Sequence, residues 1–247
     1  MHPVFLKIGN FVIYWYGVMV AAGALVGSFI FQSLARKRSY SESEINRIIF
    51  VTLASGIIGA RIVHVFANYH YYSRHILEII MLRNGGLAIQ GGILFGLAAL
   101  IVLLKTMKLN VAGTLDMVAL SVPVGQAIGR IGCFLNGCCY GKQSNCFIGV
   151  TFPGVEGRVH PTELYYMAGD LLIFWFLLLF YHDKHQDGEI AAWYLIFFGS
   201  LRYWLDHFRG DLIPSEIGLY STQIFGIICF LAGALWIFRI SFRQKTI

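Results

Sequence analysis

Seven long apolar segments constrain this sequence more than any other feature. Each has the length of roughly 20 residues that an α-helix needs to cross the hydrocarbon core of a bilayer. The segments lie at residues 11–35, 45–67, 88–106, 112–135, 162–181, 190–207 and 218–240. The sequence therefore predicts an all-α integral membrane protein, a bundle of about seven transmembrane helices.

The amino-acid composition excludes a soluble domain. Hydrophobic residues make up 57% of the 247-residue chain and charged residues only 13%, with a mean hydropathy of +0.66. A soluble domain of this composition would leave too much apolar surface in water. Because no repeat or linker divides the chain, we predict one transmembrane domain over residues 1–247, with an outer loop at about 137–161. The first segment shows no convincing cleavage site, so we expect it to remain as an anchor.

The positions of the 19 lysines and arginines predict the orientation. With the N-terminus outside, ten fall on the inner side, six on the outer side and three within helices. The inner group is Arg36, Lys37, Arg38, Arg47, Lys105, Lys108, Lys184, Arg239, Arg243 and Lys245, and the outer group is Lys7, Arg74, Arg83, Lys142, Arg158 and Arg209. Cytoplasmic segments carry the excess of Lys and Arg, so we predict an outside N-terminus and a cytoplasmic C-terminus. No basic, aromatic-interleaved motif indicates nucleic acid, and the net charge of +6 fits attraction to anionic lipid.

Two local patterns predict how the helices begin and pack. Ser41 and Glu44 have the spacing of a capping box, which predicts the start of the second helix. Glycines four residues apart let helix backbones approach closely, and we interpret them as packing positions. These pairs are Gly23 and Gly27, Gly92 and Gly96, and Gly125 and Gly129.

Three arginines lie within the apolar segments: Arg61, Arg130 and Arg202. Each costs roughly 2.5–3.5 kcal/mol at mid-bilayer unless it faces water or an anion. Arg61 has His64 one turn further on, and it fits a polar core contact as well as a functional role.

Arg130 and Arg202 have polar neighbours at helical spacing. Gln126, Cys133 and Gly137 share the face of Arg130, and Asp206 and Arg209 share that of Arg202. If the two faces meet, they form a cluster of guanidinium groups with too few acids to balance it. A guanidinium group donates paired hydrogen bonds to phosphate oxygens, so this cluster predicts binding of a phospholipid head group.

The segment GRIGCFLNGCCYG at residues 129–141 resembles the signature of the prolipoprotein diacylglyceryl transferases, which are bacterial inner-membrane enzymes. Six further motifs follow in the family's order along nearly the whole chain. They are YWYG (14–17), GARIVH (59–64), GGLAIQGG (85–92), HPTELYY (160–166), GSLRYWLDHFRGD (199–211) and STQ (221–223). The family's seven helices and outside N-terminus match the topology predicted above.

The resemblance implies a transferase reaction in a multi-pass protein of the bacterial cell (inner) membrane. The diacylglyceryl group of phosphatidylglycerol moves to the thiol of the lipobox cysteine of a preprolipoprotein, a thioether forms, and glycerol phosphate leaves. Fixed cations near the departing phosphate stabilise the transition state more than the ground state. No metal and no cofactor is implied.

The resemblance also implies roles for single residues. Arg130 and Arg202 match arginines on which the family depends. The matched positions implied to bind substrate are Tyr16, Arg61, Gly91, Gly129, Asn136, Gly141, Arg209 and Gln223. Gln90 stands where the best-known members have a histidine thought to act as the base, and an amide cannot take up that proton. We hypothesise that Gln90 orients the lipid ester or phosphate while the arginines supply electrostatic stabilisation.

His160 and Glu163 are the remaining acid–base candidates, and we include both among the residues expected to bind substrate. Pro161 follows His160, so the same residues also fit an ordinary helix start with proline in the first turn.

Four cysteines lie at the predicted outer end of the fourth helix and in the following loop: Cys133, Cys138, Cys139 and Cys146. A bound metal, a redox disulfide and a structural disulfide are the alternatives. No CxxC is present, and adjacent Cys138 and Cys139 do not easily ligate one zinc tetrahedrally. We favour packing or a disulfide between Cys138 and Cys146, and we predict no metal site.

The chain departs from the family's pattern at several positions, namely Gln90, Cys133, Cys138 and Phe198. These substitutions keep two alternatives open. A cysteine-dependent membrane redox enzyme would lose activity when Cys138 or Cys139 becomes serine. A non-catalytic phospholipid-binding paralogue would bind phosphatidylglycerol and release no glycerol phosphate.

Overall fold

The computed structural model describes residues 3–9, 11–81, 85–216 and 218–244, and most of these residues are helical. The helices are α1 (Trp15–Lys37), α2 (Glu42–Ala67), α3 (Tyr69–Tyr72), α4 (Ile89–Thr106), α5 (Val111–Asn136), α6 (Thr162–His182), α7 (Glu189–Leu205) and α8 (Ser221–Gln244). Short 3-10 helices lie at Ile76–Ile80 and Asp206–Phe208. The seven predicted segments thus correspond to the seven long helices.

Six of these helices are long and apolar enough to cross a membrane, namely α1, α2, α4, α5, α6 and α8. The prediction of a mainly helical, multi-pass membrane protein is therefore confirmed. α7 has 17 residues, about 26 Å at 1.5 Å per residue, against a hydrocarbon core of about 30 Å. The count of seven spans and the orientation stay predictions. Arg83 and Lys245, which contributed to the charge count, lie outside the described residues.

The first helix begins later than predicted because its expected first turn is a strand. Phe11–Tyr14 pairs with Val4–Ile8 as an antiparallel hairpin, and the reversal uses Gly9 at φ +56°. β-Branched and aromatic residues favour extended backbone, and their apolar character makes a short strand look like the start of a helix. A hydrogen bond from Trp15 N to Pro3 O, 2.9 Å long, fixes the change from strand to helix.

Polar side chains define two helix starts. Ser41 caps α2: its Oγ accepts from Glu44 N at 3.3 Å, and the Glu44 carboxylate accepts from Ser41 N at 2.8 Å, so the predicted capping box is confirmed. At α7, the fully buried carboxylate of Asp116 accepts from Gly188 N at 2.7 Å and Ala191 N at 2.8 Å. Asp116 thus satisfies two backbone donors that a helix start leaves unpaired.

The chain divides into two compact units. One comprises Leu34–Thr114 and contains α2 and α4, which pack along each other. The other comprises Met1–Ser33 and Leu115–Ile247, where α7 packs along α8 and α1 approaches α5. A Cβ at Gly23 would lie 2.6 Å from the carbonyl oxygen of Gly125, so the packing interpretation is confirmed for these two glycines. It is wrong for Gly129, where a Cβ would meet no packing neighbour among the described residues within 4 Å.

The predicted loop at 137–161 is also present, between α5 and α6. It is irregular and contains isolated backbone bridges from Val159 to Gln143 and Val150. A third bridge joins Gly141 to Arg209, so this loop also pairs with the segment that follows α7.

Candidate active site

Arg130 and Arg202 lie over the same aromatic ring, that of Tyr166. The guanidinium carbon of Arg130, on α5, is 4.3 Å from the ring centroid, and that of Arg202, on α7, is 5.4 Å away. Tyr166 comes from α6, is only 2% exposed, and donates a hydrogen bond to Oδ1 of Asp206. Cation–π attraction is strongest away from water, so one buried tyrosine orients both arginines. The two faces that the sequence singled out therefore meet.

Two carboxyl groups lie near these arginines, which corrects the expectation of too few acids. Asp170 on α6 is 3% exposed and interacts electrostatically with Arg130 and Arg202. Asp206 is fully buried. The sequence reasoning missed Tyr166 and Asp170 as members of this group, although Glu163, Tyr166 and Asp170 recur at helical spacing along an otherwise apolar helix.

The site retains unpaired hydrogen-bonding capacity. Nε and Nη1 of Arg202 are buried and have no hydrogen-bond partner within the described part of the chain. A buried N–H group without an acceptor is unfavourable, so such donors are typical of a site that receives an anion. Gly129 adds room, because a Cβ placed there would meet no neighbouring side chain or helix within 4 Å. We name this group, formed by Arg130, Arg202, Tyr166, Asp170 and Asp206, the arginine–tyrosine cluster.

Glu163 and Arg209 lie close to this cluster but differ in their pairing. Glu163 is fully buried, and neither carboxylate oxygen has a hydrogen-bond partner in the described residues. Arg209 is 6% exposed and binds Asp211 through two contacts, Nε to Oδ1 at 2.8 Å and Nη2 to Oδ2 at 2.5 Å. Burial is the largest single influence and opposes the charge of Arg209, but the hydrogen bonds with Asp211 and the charge interactions with Asp211, Cys139 and Tyr166 together raise its pKa. Arg209 is thus already paired with an anion.

His160 lies just before α6 and contacts two side chains. Its Nδ1 is 3.0 Å from the hydroxyl of Tyr165 and 3.7 Å from Sγ of Cys146. The backbone of His160 exchanges hydrogen bonds with the loop, accepting from Gly141 N at 2.8 Å. This ring nitrogen is therefore engaged within the loop.

Arg61 uses its guanidinium group to hold backbone. Its five N–H donors reach five carbonyl oxygens at 2.5 to 3.4 Å, and the side chain is almost completely buried. The acceptors are the carbonyls of Glu78, Ile79, Met81, Gly85 and Gly86. Every N–H donor of Arg61 thus has a backbone acceptor, and its expected contact with substrate stays a prediction.

Gln223 is occupied in a similar way. It is 1% exposed, its Nε2 donates to Tyr203 O at 3.1 Å and lies 3.0 Å from Nδ1 of His207, and its Oε1 accepts from Tyr220 N at 3.1 Å. These bonds fix the start of α8 against α7. The predicted contact of Gln223 with substrate stays a prediction.

Two matched glycines are close-packing positions. A Cβ at Gly91 would collide with the carbonyl oxygen of Gly59 on α2, and one at Gly141 would lie 2.6 Å from Cβ of His160. The absence of a side chain at Gly91 and Gly141 therefore serves backbone approach, and their predicted contact with substrate stays a prediction.

The other predicted site residues are accessible. Tyr16, on α1, is 45% exposed and interacts electrostatically with Arg130 and with the thiols near the end of α5. Asn136 is exposed at the last position of α5 and forms a side-chain hydrogen bond with Cys138. Gln90 is exposed in the first turn of α4, just after a backbone bond from Ala88 N to Ala60 O at 3.0 Å. The five-carbonyl contact of Arg61 thus fixes the segment that leads into Gln90.

The cysteines are arranged differently from the prediction. All five are free thiols, and Cys138 lies with Cys133 and Cys139, whereas Cys146 contacts His160. The predicted disulfide between Cys138 and Cys146 is therefore wrong for this structure. Hydrogen bonds from Cys133 and Cys139 hold the pKa of the Cys138 thiol well below its usual value.

The fold and the site together define a multi-pass membrane protein with two half-buried arginines over one buried tyrosine. The family model of prolipoprotein diacylglyceryl transferase matches residues 3–239, and the chain belongs to that family.

Named relatives agree with this assignment over almost the full length. A phosphatidylglycerol–prolipoprotein diacylglyceryl transferase of Finegoldia magna is 36% identical over 237 residues, covering 95% of this chain and 93% of the relative. The proteins of the same name from Clostridioides difficile and Clostridium tetani are 33% identical over 235 residues and 31% identical over 254 residues. The alignments cover 95% and 99% of this chain, and 93% and 100% of those proteins.

Proposed function

We propose that this protein transfers the diacylglyceryl group of phosphatidylglycerol to the thiol of the lipobox cysteine in preprolipoproteins, releasing glycerol phosphate. The observation that carries the proposal is the placement of Arg130 and Arg202 over Tyr166, with two buried Arg202 donors unpaired. The names of the relatives supply the substrates, and the arginine–tyrosine cluster supplies a chemically suitable place for the phosphate.

In this proposal the arginines act on the leaving group. Attack of the substrate thiolate on the glycerol carbon forms the C–S bond and breaks the C–O bond to phosphate, so negative charge grows on the departing phosphate. Unpaired N–H donors of Arg202 bind that charge in a site of low dielectric, where such hydrogen bonds are strongest. Tyr166, Asp170 and Asp206 hold the guanidinium groups in place before the lipid enters, which limits reorganisation during the reaction.

The substrate thiol must lose its proton to an acceptor, and we assign this role to Glu163 in preference to His160. Both carboxylate oxygens of Glu163 are without partners, whereas Nδ1 of His160 is engaged by Tyr165. Gln90 keeps the proposed role of orienting the lipid ester or phosphate, since its amide both donates and accepts hydrogen bonds. Tyr16, Asn136 and Gly129 are proposed to contact substrate.

We further propose seven membrane spans, with the N-terminus outside and the C-terminus in the cytoplasm of a bacterial cell. The short α7 serves as the sixth span, and the loop at 137–161 lies on the outer side. Residues 1–247 then act as one transmembrane catalytic domain. The positive-inside distribution of Lys and Arg supports this orientation.

The experiment uses purified protein in detergent, phosphatidylglycerol and a lipobox peptide, with mass spectrometry of the peptide. The proposal expects a mass gain equal to one diacylglyceryl group and release of glycerol phosphate. Arg202→Lys tests the site, and Arg36→Lys is the matched control because Arg36 is exposed and pairs with Glu42.

Three results would contradict the proposal. Arg202→Lys with the same rate as Arg36→Lys would remove the site from the chemistry. Binding of phosphatidylglycerol without transfer would identify a non-catalytic paralogue. A mass change confined to the protein's own thiols would favour a redox enzyme.

A further inference from the structure

Three cysteines that the proposed transfer does not use gather at the end of α5. The Sγ atoms of Cys133, Cys138 and Cys139 all lie within 4.8 Å of one another. Cys133 is 9% exposed, and the other two are half-buried in the turn that follows the helix. We name this group the thiol cluster.

The backbone conformation explains how two adjacent cysteines reach the same point. Gly137 has φ +74° and Cys139 has φ +70°, so the chain reverses sharply after α5. Cys138 N donates to Cys133 O at 3.2 Å, and Thr162 Oγ1 donates to Cys139 O at 2.5 Å. The left-handed conformation is unusual for a non-glycine residue and needs surrounding contacts to maintain it.

We propose that the thiol cluster binds one soft metal ion, a Cu⁺ ion, through the three sulfur atoms. Thiolates are the ligands that soft ions such as Cu⁺ select, whereas structural Zn²⁺ sites close with four ligands. The described residues bring only three donor atoms together here, because the imidazole of His160 lies instead against Cys146. The expectation that Cys138 and Cys139 do not easily ligate one zinc tetrahedrally does not exclude a three-coordinate ion, and the turn at Cys139 brings both sulfur atoms close to that of Cys133.

The site lies beside the arginine–tyrosine cluster. Cys133 follows Arg130 by three residues on α5, and the two side chains interact electrostatically. An ion held by the thiol cluster would fix the last turn of α5 and shield its thiols from oxidation. The proposal concerns a different group from the transfer site, and its test needs neither lipid nor peptide.

The test measures binding of Cu⁺ to the full chain in detergent, under reducing and oxygen-free conditions, by competition with a chromogenic Cu⁺ chelator. One ion per chain is expected. Cys139→Gly removes a direct ligand. Because loss of an outer-shell partner alone costs about 10–100-fold in metal affinity, this variant should weaken binding by about 100-fold or more. Cys146→Ser is the matched control, because this thiol lies outside the thiol cluster, and it should bind as the wild type does.

Cys139→Gly also separates ligand loss from misfolding. Glycine adopts φ +70° without strain, so the melting temperature of this variant should equal or exceed that of the wild type. If Cys139→Gly unfolds, Cys138→Ala is the second ligand variant.

Equal Cu⁺ affinity of the wild type and of the folded ligand variant would overturn the proposal. The same chain is also titrated with Zn²⁺. A higher affinity of the thiol cluster for Zn²⁺ than for Cu⁺ would overturn the assignment to a soft monovalent ion. Both results leave the proposed transfer untouched, since no lipid is present.

Discussion

Arg61 gives the sharpest prediction, because all five of its N–H donors reach backbone carbonyls. A hydrogen bond from a charged donor contributes about 1.5–3 kcal/mol. Lysine has three donors and leaves at least two carbonyls unpaired, so Arg61→Lys should destabilise this region by about 3–6 kcal/mol. Alanine leaves all five unpaired, a loss of about 7.5–15 kcal/mol, which is comparable to the whole stability of about 5–15 kcal/mol of a typical domain.

A loss this large favours local opening over global unfolding. Ile76–Met81, Gly85 and Gly86 can turn their carbonyls to water while α2 and α4 stay packed, and local opening then has the lower free energy. We therefore expect Arg61→Ala to keep most of its helix content and to lose amide protection around Ala88, whose N–H bonds Ala60 O. Arg61→Lys should lie between Arg61→Ala and the wild type.

The assay is hydrogen–deuterium exchange by mass spectrometry on peptides that contain Ile76–Met81 and Ala88, with phosphatidylglycerol binding measured on the same samples. Arg36→Ala, at an exposed arginine, is the control. Unchanged protection at Ala88 in Arg61→Ala, together with lost lipid binding, would refute the reasoning and restore Arg61 as a direct lipid ligand.

Three further predictions concern other parts of the molecule. Arg202→Lys should lower transfer by about 10²-fold or more in kcat, because a lysine cannot reproduce a two-donor contact to phosphate. Hydrogen bonding by Ser144 lowers the pKa of the Cys146 thiol, so alkylation of Cys146 should begin below the usual pH for a thiol, and Ser144→Ala should move its midpoint to higher pH. Asp116→Ala should destabilise the protein by about 2–6 kcal/mol, because the N–H groups of Gly188 and Ala191 lose their buried acceptor.

Each of these has a direct control. Arg202→Lys is compared with Arg36→Lys by peptide mass spectrometry, and equal kcat values would contradict a role in the transition state. For Cys146, labelling of intact cells with a membrane-impermeant maleimide also tests whether the loop lies on the outer side. If Cys146 reacts only after the cells are lysed, the outer position of the loop is disproved. Thermal unfolding of Asp116→Ala, compared with Asp116→Asn, measures how much the hydrogen bonds to Asp116 stabilise the protein. An unchanged melting temperature in Asp116→Ala would show that these bonds contribute nothing.

The membership of the family was predictable from short motifs, but the roles of single residues were not. Arg130 and Arg202 were identified by their position within apolar helices, and their faces indeed meet at Tyr166. Arg61 carries the same signal in the sequence, yet it binds backbone. An arginine in an apolar segment indicates that the side chain has a polar partner, but the sequence does not identify that partner. The carbonyls that Arg61 binds are 17 to 25 residues away in the chain, a distance at which no sequence spacing predicts a contact.

The sequence by itself determined the helices, since membrane crossing requires about 20 consecutive apolar residues and capping depends on near neighbours such as Ser41 and Glu44. The tertiary structure decided which polar groups meet. The acids beside the arginines and the grouping of the three thiols depend on helix packing and on the left-handed backbone at Cys139. Contacts of this kind arise between residues that have no fixed spacing in the chain, so only the folded molecule reveals them.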